Sequence, residues 1–263
     1  MLNEKKVVVV LPGFRVGRTL GRTLDALPPG VADACIYVDD GSDDDSVEVA
    51  KRHGAIVFAH GRNLGYGAVQ KTGYREALAM GADVVVMVHG DFQYKPELMP
   101  AVASMVAYGG YDLVLGSRML VRGALRGGMP VWKFVANKAL TGFENAITQA
   151  GLSEYHTGYR GFSRHALETL PLAENRNDFV FDNETLAQAI HFGLSIGELS
   201  CPAHYFDEMS TIHFRAGVRY GLGVLKTAAG FWLEKRNLPH AQSRIYRRDG
   251  AGLATWTEGR RVD

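Results

Sequence analysis

Cysteine is nearly absent: the 263 residues hold only Cys35 and Cys201. Two thiols so far apart offer neither a disulfide framework nor a four-ligand zinc site, which points to a reducing, cytoplasmic compartment. Excess charge of one sign is missing as well. Lys and Arg number 29 against 28 Asp and Glu, a formal net charge of +1, too balanced for bulk attraction to nucleic acid. The charged start, Met1 to Lys6, runs straight into an apolar strand and has no cleavable leader pattern, so no secretion signal is expected. Long apolar runs are lacking too. The best candidate, Val218 to Leu233, is interrupted by Arg219 and Lys226 and falls short of the roughly 20 residues a membrane span requires. Internal repeats and low-complexity tracts are also missing. What remains is an ordinary globular composition, 46% hydrophobic and 22% charged, long enough to bury roughly 73% of its unfolded surface.

The continuous run Val7 to Leu11, closed by Pro12 and Gly13, reads as a strand buried on both faces and therefore as part of a parallel sheet. Helical spacing follows over Thr19 to Leu27, and then a second strand over Ala34 to Val38. The alternation continues with a helix at Asp43 to His53, a strand at Ala55 to Ala59, a helix at Tyr66 to Met80 and a strand at Asp83 to Val88. Another helix is expected over Pro96 to Ala107 and a strand over Tyr111 to Ser117. This pattern predicts a doubly wound α/β fold. Arg118 to Gly128 reads as a loop, Lys133 to Ala150 as a helix, and Tyr155 to Ser163 as an irregular or strand segment. Asn183 to Phe192 reads as a helix leading to a strand over Ser195 to Pro202. These later segments are expected at the far edge of the sheet.

In open α/β sheets, ligands bind beyond the carboxyl ends of the strands. Here those ends are polar: Pro12-Gly13, Asp39-Asp40-Gly41-Ser42, His60-Gly61-Arg62-Asn63, His89-Gly90-Asp91 and Gly116-Ser117-Arg118. The aspartate string also suits a plain turn with a helix N-cap. His89, Asp91 and Gln93 lie within five residues and form a fair ligand set for Mg²⁺ or Mn²⁺ bridging a diphosphate. Gly65-Tyr66-Gly67 lacks the third glycine of a dinucleotide fingerprint, because Gln70 stands there.

Taken in order, several strings resemble the glycosyltransferases of family 2, most closely the branch of dolichol-phosphate mannosyltransferase and related polyprenyl-phosphate sugar transferases. They are Val38-Asp39-Asp40-Gly41-Ser42, Asn63-Leu64-Gly65-Tyr66-Gly67-Ala68 with Gly73, and His89-Gly90-Asp91-Phe92-Gln93 with Pro96. Gly116-Ser117-Arg118, Thr157-Gly158-Tyr159-Arg160-Gly161-Phe162 and Phe181-Asp182-Asn183-Glu184 complete the set. The resemblance spans roughly Val7 to Lys235. It implies the GT-A fold, a Rossmann-like and mainly parallel central sheet with helices on both faces and a small C-terminal helical extension. A single domain over 1–238 is expected, with a nucleotide-binding part over about 1–118 and an acceptor part over about 119–238. A polar, partly ordered tail would follow over 239–263.

Position by position, the resemblance implies that Pro12 and Asp40 hold the base and ribose of a nucleotide-diphosphate sugar (GDP-mannose or a UDP-sugar). Asp39, Gly13, Asn63, Gly90 and Gln93 would lie beside them. Asp91 would bind Mn²⁺ or Mg²⁺, whose charge offsets that of the departing diphosphate. The family usually has an aspartate where this chain has His89, a change that favours Mn²⁺ or weakens the metal site. Arg118 matches a phosphate-facing arginine, with Arg122, Arg126 and Lys133 as further cations near an acceptor phosphate. Asp182 and Glu184 match the acidic pair, one of which deprotonates a hydroxyl acceptor; Asp182 also suits an N-cap. His204 and His213 are weaker metal candidates. The expected activity is inverting, metal-dependent sugar transfer to a polyprenyl phosphate, with a small soluble hydroxyl acceptor as the alternative. A sugar nucleotidyltransferase or an inactive nucleotide-binding protein stands as the reading from another class. Peripheral contact with the inner membrane face, through Val218 to Leu233, and a homo-oligomer are left open.

Overall fold

The structure, a computed structural model, describes residues 2–120, 123–202 and 214–262. Its chain runs β1 (Val7–Gly13), α1 (Gly17–Asp25), β2 (Ala34–Asp39), α2 (Ser46–Arg52), β3 (Ile56–Ala59), α3 (Tyr66–Ala79) and β4 (Val84–Met87). Next come α4 (Met99–Ala107), β5 (Leu113–Ser117), the short α5 (Gly123–Arg126), α6 (Val131–Thr148), β6 (Arg160–Ser163) and α7 (Arg164–Thr169). The last elements are α8 (Phe181–His191), β7 (Ile196–Ser200), α9 (Phe214–Glu234) and the two-residue β8 (Arg260–Arg261).

All seven residues of β1 are buried, as its unbroken apolar run requires of a central strand. The pleat sends Val8 and Val10 to one face, against α3, α7 and α8, and Val7, Val9 and Leu11 to the other, against α1, α2 and α4. The two layers of core so formed fix the sheet between helices, in the order β7-β5-β6-β4-β1-β2-β3-β8. β1, β2, β3 and β4 pair in parallel, and their carboxyl ends form one rim.

Two expectations need correction. The segment Tyr155 to Ser163 was expected at the far edge, but β6 lies inside the sheet, antiparallel to both β4 and β5, and β7 takes the edge beyond β5. The burial that drives this is Phe162 on one face and Tyr159 on the other, with Gly161 admitting Val102 of α4 at close range. The tail after 238 was expected to be partly ordered and polar. Through residue 262 it packs on the domain instead: Ile245, Tyr246 and Leu253 are buried, and β8 pairs antiparallel with β3. Its apolar anchors are few, and side-chain hydrogen bonds supply the remainder: the Trp256 indole donates to Thr72 Oγ1 at 2.9 Å, and Gln188 Nε2 donates to the Ile245 carbonyl at 2.9 Å. Within the loop expected after Arg118, α5 carries Ala124 into a small buried cluster with Met119 and Met129.

Candidate active site

A cavity of about 1130 Å³ opens on the rim. Pro12, Gly13, Asp40, Asn63, His89, Gly90, Asp91, Gln93, Arg118 and Asp182 all line it, so most of the residues singled out from sequence do converge. Its polar floor belongs to the strand ends. Its far wall is apolar and consists of Trp132, Ala136, Ala139 and Leu140 of α6 facing Val218 and Gly221 of α9.

Asp39 and Asp40 are neighbours with different duties. The Asp39 carboxylate turns inward, accepting the backbone N–H groups of Gly41 (3.0 Å) and Ser42 (2.8 Å) and the Tyr37 hydroxyl (3.1 Å). It shapes the turn and does not line the cavity. Asp40 does reach the cavity, and it also ties two loops together: Oδ1 accepts from Leu64 N (2.9 Å) and meets His60 Nδ1 (2.7 Å), while Oδ2 accepts from Gly65 N (2.8 Å). His60 Nε2 lies 2.9 Å from Thr72 Oγ1, so the rim is wired to Trp256 in the tail. Gly65 sits at φ +104°, and a Cβ there would stand 2.4 Å from the Asn177 carbonyl; only glycine admits that approach.

Asp182 lies in the first turn of α8 and makes no capping bond; its neighbour Val180 holds the cap position. Its carboxylate instead accepts the Tyr66 hydroxyl on Oδ2 (3.0 Å) and Gln70 Nε2 on Oδ1 (3.0 Å). Arg160, fully buried, braces it from behind by donating to the Asp182 carbonyl (2.7 Å) and to the Thr157 carbonyl (2.9 Å). Tyr66 has one hydroxyl proton and gives it to Asp182, so His89, 3.0 Å away, must donate its Nε2–H to the Tyr66 oxygen. Gly158 makes room for that ring, because a Cβ there would lie 2.1 Å from His89 Nε2.

The model of glycosyl transferase family 2 matches residues 8–170, well over half of the chain and all the elements that build the rim. The chain belongs to this family.

This glycosyltransferase is 31% identical over 230 residues to a hexosyltransferase of low-salt glycan biosynthesis from Haloferax volcanii, covering 85% of this chain and 54% of that one. It is 24% identical to a UDP-N-acetylglucosamine–dolichyl-phosphate N-acetylglucosaminyltransferase of Methanococcus voltae, covering 78% and 88% of the two chains. A polyprenol monophosphomannose synthase of Mycolicibacterium smegmatis is 26% identical, with 74% and 76% covered. These relatives place the enzyme with the polyprenyl-phosphate branch, among hexosyltransferases. In fold it is similar to glucosyl-3-phosphoglycerate synthase of Mycobacterium tuberculosis solved with UDP, with a TM-score of 0.68, 20% identity, and 90% and 82% of the chains covered. That enzyme has also been solved with Mn²⁺. The GT-A architecture is thereby the fold of this chain.

The expected metal ligands fit only in part. Among the described residues no group of three His, Cys, Asp or Glu side chains is placed to hold an ion. His89 carries its Nε2 proton toward Tyr66 and so offers no lone pair from that nitrogen. Asp91 keeps a carboxylate on the rim, with Oδ1 accepting Gln93 N at 3.0 Å, and Gln93 also lines the cavity. One carboxylate completed by substrate phosphate oxygens and water is the usual donor set for Mg²⁺ and suits Mn²⁺, so the residues fit an ion that arrives with the donor. His204 and His213 lie outside the described residues, as does Arg122.

One further expectation changes, that for Glu184. Glu184 stays out of the cavity: Oε2 accepts Arg176 N (2.8 Å) and Oε1 accepts Gln242 Nε2 (3.3 Å), so it fastens a loop and the tail. Arg118 lines the cavity but is paired with buried Glu154, donating from Nε to Oε1 at 2.9 Å and from its backbone N–H to Oε2 at 2.7 Å. Burial pushes the Glu154 carboxyl up, and the Arg118 charge and these hydrogen bonds outweigh it and hold the group below its ordinary value. Lys133, also in the lining, has its ammonium lowered by desolvation and by Arg118 nearby, so two cations share this end of the cavity. Sequence reasoning gave no role to Tyr66, His156, Arg160 or Tyr220. Tyr66 and Arg160 stood inside the quoted motifs; Tyr220 had no signal beyond its place in an amphipathic stretch.

Proposed function

We propose that this enzyme transfers a sugar, with inversion, from a nucleoside-diphosphate sugar to a polyprenyl phosphate. The observation that carries the reading is the two-natured cavity: a polar strand-end rim for the donor, two neighbouring cations in the lining, and an apolar passage between α6 and α9 suited to the first isoprene units. The relatives named for dolichyl- and polyprenyl-phosphate acceptors support the same class.

In this reaction an acceptor phosphate oxygen forms the new bond to the anomeric carbon as the bond to the diphosphate breaks, and the electron pair leaves on the nucleoside diphosphate. Asp40 and the backbone at Pro12 and Gly13 hold the nucleoside, Asn63 and Gly90 border it, and Asp91 with Gln93 holds Mn²⁺ or Mg²⁺. When bound, the divalent ion neutralises charge on the leaving diphosphate. Lys133 and Arg118 steady the acceptor phosphate. A phosphate is already ionised and asks for no base. A second reading rests on Asp182: clamped by Tyr66 and Gln70 at the cavity edge, its carboxylate is poised to deprotonate a soluble hydroxyl acceptor.

Exposed Trp132 of α6 and Val218 of α9 line the passage, and the exposed apolar residues Val135 and Phe143 of α6 and Leu222, Leu225 and Trp232 of α9 lie further along the same helices. Their exposed charged neighbours Lys138, Arg219 and Lys226 are all basic, which suits peripheral contact with an anionic bilayer. Among the described residues, no helix is long and apolar enough to cross a membrane.

The test offers the purified enzyme UDP-glucose, UDP-N-acetylglucosamine and GDP-mannose with undecaprenyl phosphate, in Mn²⁺, Mg²⁺ or chelator. Metal-dependent appearance of sugar in the lipid extract is the expected result. Nucleotide release that needs a soluble alcohol and ignores the lipid would replace this reading with the second.

A further inference from the structure

Behind the apolar wall lies a trio, from buried Glu144 to half-buried Tyr220, that the donor chemistry does not use. Glu144 on α6, His156 in the loop before β6 and Tyr220 on α9 meet in a line, and the last two reach the cavity. Tyr220 Oη lies 2.8 Å from His156 Nδ1. His156 Nε2 faces Glu144 Oε2 at 3.3 Å, an ion-pair distance without hydrogen-bond alignment, and among the described residues neither of these buried atoms has a hydrogen-bond partner. The second Glu144 oxygen accepts from Asn183 Nδ2.

We propose that Tyr220 binds the acceptor's anionic oxygen, and that a proton held on Glu144 and relayed through His156 sets which way the Tyr220 hydroxyl points its hydrogen. The proposal deepens the phosphate-acceptor reading and rests on it. With Glu144 protonated, its O–H donates to Nε2, the ring carries its hydrogen on Nδ1 and donates to the Tyr220 oxygen, and the tyrosine hydrogen is directed into the cavity. Removing one proton to solvent reverses the line. The ring hydrogen then resides on Nε2 and faces the carboxylate, Nδ1 accepts the tyrosine hydrogen, and only oxygen lone pairs face the cavity. The first state binds an anion and the second repels it.

Burial places the switch in the working range. It pushes the Glu144 carboxyl up to about 8, against the hydrogen bond from Asn183 and the Arg160 charge, and it pulls His156 down to about 4, so the ring stays neutral while its tautomer changes. Other charges also face the line. Arg118 and Glu154 face His156, and Asp182, Arg118 and Arg160 face Tyr220; the two arginines favour an anion beside the hydroxyl.

Two measurements test this. Nitrogen-15 NMR of the histidine rings, with His156 assigned by the missing signals of His156→Gln, is expected to show Nδ1–H giving way to Nε2–H as pH rises through about 8. Glu144→Gln should abolish that change, and a wild-type ring with one tautomer throughout would overturn the relay. Calorimetry with farnesyl phosphate as a short acceptor probe should show affinity falling about tenfold from about pH 7 to about pH 9, beyond any change shared by Glu144→Gln, which corrects for ionisation of the probe itself. Tyr220→Phe should lose about the same factor at the lower pH. If the probe binds but Tyr220→Phe binds it equally well, the proposal fails and the phosphate reading stands. If the wild type binds no farnesyl phosphate at either pH, the phosphate reading falls and takes Tyr220's role with it.

Discussion

Asp182 and Glu184 are two positions apart on one helix, and that spacing alone sends their carboxylates to opposite sides. One faces the cavity and the other holds the tail, although in sequence they look like a pair. Asp182→Asn should therefore cost less than about tenfold with a phosphate acceptor; a loss of about 10² or more, measured as kcat, would mark it as a base for a hydroxyl. Asp91→Ala should remove metal-stimulated turnover while leaving the thermal midpoint close to wild type, since its carboxylate is on the rim rather than in the core. Glu144 has its own signature in stability. Its folded value, about 8, is above the ordinary carboxyl value of 4.5, so the folded state keeps a proton that the unfolded chain has lost. Stability from this group is complete below the ordinary value and is lost as pH rises toward 8; His156, lowered to about 4, acts in the opposite sense, but only below about 6.5. Between pH about 6.5 and about 8 urea unfolding should thus show a fall of about 2 kcal/mol, and Glu144→Gln should flatten it. The rim aspartates were legible because Asp, Gly and Ser directly after an apolar strand have few other uses. Tyr66, His156 and Tyr220 were not, because they meet from distant elements and each alone looks like ordinary packing.

Among the elements, legibility followed length and continuity. β1, β2, β4 and β5 are apolar runs that can only be strands buried on both faces, and they were read to within a residue or two. β6 has four residues, begins with an arginine and ends with a serine, and its place inside the sheet comes from pairing with two strands read long before it. The tail misled for a related reason. Its glycines and arginines suggested little order, yet Trp256 donates to Thr72, stands over the Lys71 ammonium at 4.7 Å, and so joins the line that runs through His60 to Asp40. Trp256→Ala should cost about 2 kcal/mol in urea unfolding and should also weaken nucleoside-diphosphate binding, as read by calorimetry. Loss of stability with unchanged nucleotide affinity would show that the tail only packs.

At the scale of the whole molecule, the two ends of the cavity lie on different materials: strand ends bearing carboxylates, and helices bearing apolar and basic residues. Flotation with phosphatidylcholine vesicles containing phosphatidylglycerol is expected to carry the enzyme upward, less so in high salt, and much less for Leu222→Glu. The buried place of β6 has a further consequence, for the order in which the protein can be made. Among the described residues β5 pairs only with β6 and β7, both of which come from residues 160 and later, whereas β1 to β4 find one another within the first 87. A growing chain that has emerged as far as Ser117 therefore holds a four-stranded sheet beside an unpaired fifth strand. That strand waits, with its edge bare, for some forty more residues to be synthesised. The first half of the chain thus depends on the second to finish its sheet, and chaperone demand during translation should peak over that interval.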